Sequence, residues 1–193
     1  NGLRFRSEGV GTPGLIGSTV VGASFLLFVI LFFQVRASGV PVSVNLYEWF
    51  SLGSIPVNFA FTFDKISSVM CLIITGVGCL IHVFSMGYME SDASPSRYFA
   101  YLNLFVFNML VLVLGSNLVV LFIGWEGVGL CSYLLIGYWF NDQQKAAAGM
   151  KAFVVNRIGD AALILGIFLI AVTLGTVDFA QIGSRVPLDV GPM

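Results

Sequence analysis

Five side chains of this sequence carry a charge or a titratable ring inside long apolar runs: His82, Glu126, Lys151, Arg157 and Asp160. Glu126 is the most demanding of them. It stands in the run Leu121-Phe122-Ile123-Gly124-Trp125-Glu126-Gly127-Val128-Gly129-Leu130. Counted from Asn117 at about 1.5 Å per helical residue, its carboxyl lies roughly 13 Å along the element. If that element crosses a bilayer, the carboxyl sits near the midplane, where an ionised acid costs at least about 2.5 kcal/mol. A carboxyl held there is expected to take up and release a proton, with a nearby cation setting when. A structural glutamate hydrogen-bonded inside a bundle is the plainer alternative.

Arg157 and Asp160 are three residues apart, so they share a helix face and are expected to pair. Such an ion pair either holds helices in register or takes part in a proton relay. Lys151, six residues before Arg157, either snorkels toward an interface or joins that relay. His82, in Cys79-Leu80-Ile81-His82-Val83-Phe84, either relays protons near neutral pH or makes a helix–helix hydrogen bond. Gly124, Gly127 and Gly129 allow close helix approach, or leave room for water beside Glu126.

These side chains need elements that can hold them away from water, and the composition supplies such elements. Of 193 residues 58% are hydrophobic and only 10% charged, against about 25% charged in a soluble domain. The formal net charge of −1 offers no electrostatic footprint for nucleic acid. Five stretches are long and apolar enough to span roughly 30 Å of hydrocarbon: 15–34, 67–89, 99–114, 117–139 and 147–174. Gly115-Ser116 is so short a polar break that the third and fourth spans must form a tight antiparallel hairpin. No proline interrupts the chain between Arg97 and Arg185, so the last three spans carry no proline kink.

The segment 36–66 reads differently. Val40, Val42, Val44 and Leu46 alternate with smaller or polar residues, and Val57–Phe63 alternates more cleanly. A period of two predicts a β-hairpin, which must lie outside the bilayer, since an open strand edge in lipid leaves backbone groups unpaired. The organisation expected is therefore a segment 1–14, a span 15–35, a hairpin region 36–66, a four-helix block 67–175 and a tail 176–193. Arg4, Arg6, Arg97, Lys145 and Lys151 collect on one side, and Arg36, Lys65 and Arg185 on the other. By the excess of Lys and Arg on inner loops, the first set, with segment 1–14, faces the matrix or cytoplasm, and the hairpin faces the intermembrane space.

Two patterns are set aside. Gly9-Val10-Gly11-Thr12-Pro13-Gly14 matches GxGxxG, but no strand precedes it and no acidic ribose ligand follows. Cys71, Cys79 and Cys131 all lie in apolar runs without CxxC spacing, so they are expected to be small core residues rather than metal ligands.

Several motifs together resemble one family. Gly124-Trp125-Glu126-Gly127-Val128-Gly129-Leu130, followed by Ser132-Tyr133-Leu134-Leu135-Ile136, is similar to a signature of chain 5 of proton-pumping NADH–ubiquinone oxidoreductase, complex I. Lys151-Ala152-Phe153, Val155-Asn156-Arg157-Ile158-Gly159-Asp160, Thr176-Val177-Asp178-Phe179 and Ser96–Leu104 resemble further stretches of the same subunit. The resemblance implies an all-α polytopic fold of the Mrp antiporter type, built from inverted five-helix repeats with broken helices at the centre.

It also implies a proton-translocating membrane-arm subunit. By motif match Glu126 is the channel glutamate, Arg157 and Asp160 belong to the NR-GD motif, and His82 to the LIH segment. The family's glutamate pairs with a lysine on a later broken helix, which would lie after Met193 or on a second polypeptide carrying the remainder of the subunit. A helix that opens the family would precede Asn1, so the resemblance is to an N-terminal fragment.

No cofactor is expected on this chain: NADH, FMN, iron–sulfur clusters and ubiquinone act on other subunits, and this one has no catalytic redox centre. Its expected partners are other membrane-arm subunits, especially the chain 4 antiporter-like neighbour, and lipids. Its expected location is the mitochondrial inner membrane, or a bacterial plasma membrane. A cation/proton antiporter subunit outside complex I, and a structural fragment that completes a split subunit, are the alternatives.

Overall fold

The computed structural model describes residues 11–53 and 55–186. Arg4, Arg6, Gly9, Val10 and the end of the expected tail lie outside those residues. The order is α1 (Gly11–Ser38), β1 (Val42–Leu52), β2 (Ile55–Phe63), α2 (Lys65–Tyr88), α3 (Pro95–Leu114), α4 (Leu118–Ile136), α5 (Gln143–Leu174) and α6 (Phe179–Arg185). The five long helices are each apolar and long enough to cross a membrane. This is the multi-pass helical architecture expected, with a two-stranded antiparallel sheet as its extramembrane piece.

Local chemistry sets where the helices begin. Asp64 closes a capping box at the start of α2, its carboxylate accepting from the Ser67 N–H at 2.7 Å while Ser67 Oγ accepts from the Asp64 N–H. Pro95 opens α3, where its missing N–H costs nothing. Asn117 caps α4, accepting from the N–H groups of Val119 and Val120. Asp142 caps α5, which therefore starts at Gln143 rather than near 147 as expected from hydropathy alone. With 32 residues, α5 is about 48 Å long, well beyond a bilayer core. Gly175, at φ +64°, ends it in the left-handed conformation that glycine adopts without strain.

Two differences from the sequence reading concern the ends of the chain. Gly11–Gly14 form the first turn of α1, so the described part of the glycine pattern is helical and α1 begins before the expected residue 15. Phe179–Arg185, within the expected tail, forms the short helix α6, capped by Asp178, which accepts from the Ala180 and Gln181 N–H groups.

The hairpin, the α3–α4 turn and the end of α5 gather at one end of the molecule. The Ser116 N–H donates to the Ala60 carbonyl at 3.1 Å, Leu118 N–H to Val177 at 2.9 Å and Asn117 Nδ2 to Asn58 at 2.7 Å. Val57, Ala171 and Val177 pack beneath these bonds. The opposite end carries the α2–α3 and α4–α5 loops, also tied to each other. Asp92 accepts from the Tyr138 hydroxyl at 2.8 Å and the Trp139 indole at 2.9 Å. Arg97 stacks over the Tyr138 and Phe140 rings, and Lys145 over Trp139.

Burial pulls the Asp92 carboxyl upward, but the Ser94 N–H, the Tyr138 and Trp139 donors and the Arg97 charge outweigh it, leaving the group below its usual range. Burial first, and then the bond to Asp92, push the Tyr138 phenol up to about 12. Both tied ends fix the helices relative to one another, so a residue's place along its helix fixes its height in the bundle.

Candidate functional site: a charged cluster between α4 and α5

Glu126 is the ninth residue of the 19-residue α4, and Arg157 the fifteenth of the 32 in α5. Both are mid-helix. The α4–α5 loop lies midway between them in sequence, so the antiparallel hairpin brings them to the same depth. The Arg157 guanidinium pairs directly with the Glu126 carboxylate. The same Nη1 lies 3.6 Å from Asp160 Oδ2, so the pair expected from i, i+3 spacing is present as the longer arm of a three-membered cluster.

Trp125 completes it. Its indole Nε1 donates to Asp160 Oδ1 at 2.7 Å, across from α4 to α5. A hydrogen bond to a charged group is worth about 1.5–3 kcal/mol, enough to hold Asp160 in one orientation. Phe153 stacks under Arg157, with the guanidinium carbon 4.6 Å from the ring centre, and Tyr133 packs on Phe153. Asp160 is buried, Glu126 mostly so, and the Arg157 side chain is 40% exposed at the edge of the helix layer. When all three groups are ionised, two carboxylates face one guanidinium, so the cluster carries one surplus negative charge. One proton neutralises it.

The glycines beside Glu126 serve the other face of α4. A Cβ on Gly124 would sit 2.3 Å from the Leu112 backbone nitrogen, and one on Gly127 2.2 Å from Asn108 Oδ1. These two therefore let α4 and α3 touch. Gly129 has nothing within 4 Å of its Cβ position.

Two of the five sequence candidates stand apart from this cluster. Lys151 is exposed on α5 and pairs with no carboxylate among the described residues. His82 lies wholly buried where α1, α2 and α3 meet, its Nδ1 bonded to the Gly78 carbonyl at 2.7 Å. The cross-helix partners Arg157 for Glu126 and Trp125 for Asp160 were not visible in the local spacing. Hairpin symmetry about the α4–α5 loop was the signal that could have found them.

Cys71 and Cys131 are buried free thiols, as their apolar surroundings predict, and Cys79 is a half-buried one. Among the described residues, no group of three or more His, Cys, Asp or Glu side chains is placed to hold a metal ion.

Comparison with known proteins agrees with this architecture. Residues 49–99 match the family model of NADH–ubiquinone oxidoreductase (complex I), chain 5 N-terminus. Residues 115–190 match that of the NADH:quinone oxidoreductase/Mrp antiporter transmembrane region. The chain is 41% identical over 186 residues to NADH-ubiquinone oxidoreductase chain 5 of Cryptococcus neoformans, covering 96% of this chain and 28% of that protein. It is 41% identical over 174 residues to subunit L of NADH-quinone oxidoreductase of Escherichia coli, covering 90% and 28%. With subunit L of Mycobacterium tuberculosis it shares 48% over 143 residues, covering 74% and 23%.

The chain thus spans only about a quarter of the length of these curated relatives, 23% to 28%. Among solved structures, the archaeal membrane-bound sulfane sulfur reductase superposes with a TM-score of 0.77 at 20% identity, covering 89% of this chain and 34% of that one. The Mrp complex from Dietzia superposes with a TM-score of 0.66 at 24% identity, covering 90% and 19%. At those identities the likeness is one of fold.

Proposed function

This chain belongs to the family of antiporter-like membrane subunits that includes chain 5 of complex I, and from that premise we propose that it serves a respiratory NADH:quinone oxidoreductase as a proton-translocating subunit. The observation that carries the proposal is the α4–α5 cluster, in which two carboxylates share one guanidinium at mid-helix depth. Sequence identities of 41% to 48% with quinone-oxidoreductase subunits favour that assembly over an antiporter outside the respiratory chain.

The geometry supports a definite role for each residue. Asp160 is held in one orientation by the Trp125 indole. Arg157 is the mobile cation between two acids. While Glu126 is ionised, Arg157 leans on it. When Glu126 takes a proton, the attraction ends, and Arg157 swings toward Asp160, 3.6 Å away.

A proton arriving at Glu126 is thereby converted into a movement of positive charge, which a redox-driven partner can couple to release. Lys151, six residues nearer the α4–α5 loop, would bring a second cation into that path, and His82 would act elsewhere in the subunit. The loop end bearing Arg97, Lys145 and Lys151 is assigned to the matrix or cytoplasmic side. NADH, flavin, iron–sulfur and quinone chemistry fall to other subunits. The chain 4 neighbour and a polypeptide carrying the remainder of the subunit are the proposed partners.

Glu126→Gln in the assembled complex tests this reading. The amide keeps shape but cannot titrate, so pumping per electron is expected to fall while complex abundance holds. Unchanged pumping in a fully assembled variant would remove the role from Glu126.

A further inference from the structure

We propose that the crossing of α1, α2 and α3 binds one internal water molecule, held between His82 Nε2 and the Ser18 hydroxyl. His82 has no exposed surface and Ser18 only 7%. Both His82 Nε2 and Ser18 Oγ are buried polar atoms without a protein hydrogen-bond partner. An unmet polar atom in such a place costs about 1–3 kcal/mol, and two of them on facing turns of α1 and α2 call for a ligand.

The chemistry of the two atoms is complementary. The Gly78 carbonyl can only accept, so Nδ1 of the neutral ring carries the proton. Nε2 is then a bare lone pair that needs a donor. Ser18 differs from the hydroxyl residues that follow it on α1. Thr19 donates back to the Leu15 carbonyl at 2.8 Å and Ser24 to Val20 at 2.9 Å, whereas the Ser18 hydroxyl makes no such bond. A water that donates to Nε2 and accepts from Ser18 satisfies both.

The three helices meet closely around these atoms. Cys79 and His82 are one turn apart on α2, and the Cys79 thiol already reaches the Ser18 carbonyl at 3.8 Å. On α1, Gly17 has no side chain, and the Cβ it lacks would lie 3.5 Å from His82 Cδ2, the carbon bonded to Nε2. The same point is 2.6 Å from Asn103 Nδ2, which spends one N–H on the Phe99 carbonyl and has a second to give. That amide is a third polar partner, within the two to four that a buried water needs. Bound water would make His82 a hydrated, exchangeable group despite its burial, at a place separate from the α4–α5 cluster. The inference does not depend on the role proposed for Glu126.

The test is a map of the purified membrane complex containing this subunit, at a resolution that shows ordered water. A peak within about 3.2 Å of both His82 Nε2 and Ser18 Oγ is expected, and it should vanish in Ser18→Ala and His82→Phe. Direct contact of Nε2 with a protein donor, or apolar packing with no peak in the wild-type complex, would overturn the proposal. Persistence of the peak in an assembled Ser18→Ala complex would overturn the part assigned to Ser18. The wild-type map decides the main point even if a variant fails to assemble.

Discussion

The molecule keeps polar side chains at depth in two regions, and it treats them differently. Between α4 and α5 the groups are charged, compensate one another across helices, and lie toward the edge of the layer, with Arg157 40% exposed. Among α1, α2 and α3 they are neutral or titratable, wholly enclosed, and left with unpaired atoms at Ser18 and His82. A charge away from water is tolerable only when an opposite charge meets it, so the first region is governed by pairing. A neutral imidazole needs only a hydrogen bond, so the second is governed by space. On the roles proposed above, the first moves charge and the second closes around a small guest.

Arg157→Ala should break the contrast most severely. It leaves Glu126 and Asp160 facing each other without a cation. Loss of one partner of a buried pair costs about 3–5 kcal/mol, and the partial exposure of Arg157 lowers the expectation to about 2–4 kcal/mol. The amount of assembled complex on a native gel should drop sharply, and a normally abundant complex would show the pairing to be dispensable.

Next comes Gly124→Ala, whose new Cβ would meet the Leu112 backbone at 2.3 Å. Backbone cannot step aside, so a cost of about 1–3 kcal/mol is expected, read as a lower melting temperature of the complex. Gly17→Ala sharpens the comparison, because the atom it meets at 2.6 Å is the end of the Asn103 side chain, which can turn away. It should cost less, and the reverse order would contradict the packing described at these two glycines.

Trp125→Phe removes the indole donor while keeping a ring. Asp160 then loses its anchor, with an expected loss of about 1–2 kcal/mol, and proton pumping per electron should fall further than stability does. Equal and small effects on both would make Trp125 a packing residue only.

The smallest effect is expected at the loop end. Asp92 holds its proton less readily when folded than when unfolded. Its stabilisation is therefore complete above the ordinary carboxylate range and is lost as the pH falls through its lowered folded value. Asp92→Asn should flatten that acid limb by less than about 1 kcal/mol, checked by thermal unfolding between pH 3 and pH 7. An unchanged limb would mean that the loops are held by the rings alone.

Much of this was legible in the residues. Spans of about 20 apolar residues and a period-two segment between prolines leave few arrangements in lipid, so the five helices and the hairpin follow. Glu126 stood out because a carboxylate in an apolar run is costly wherever the helix begins. Its cation did not, because i, i+3 spacing pointed Arg157 to Asp160 on its own helix, and only the antiparallel return of α5 brings it to Glu126. The start of α5 was misplaced by four residues, since hydropathy registers the apolar stretch and not the Asp142 cap that precedes it. Helix α6 escaped notice because seven residues are too few to show a period. Hydropathy likewise cannot tell a glycine that admits water from one that admits a helix, which is why Gly124 and Gly127 were open to both readings until α3 was seen against them.

The account rests on Glu126 changing protonation in the pair it makes with Arg157. The most direct test is infrared difference spectroscopy of the working complex in the carboxyl region, with Glu126→Gln as the control. A protonated-carboxyl band that appears during turnover and is missing from the variant, together with a lower proton yield per electron, is the predicted result. An identical spectrum and an identical proton yield in the assembled variant would contradict it.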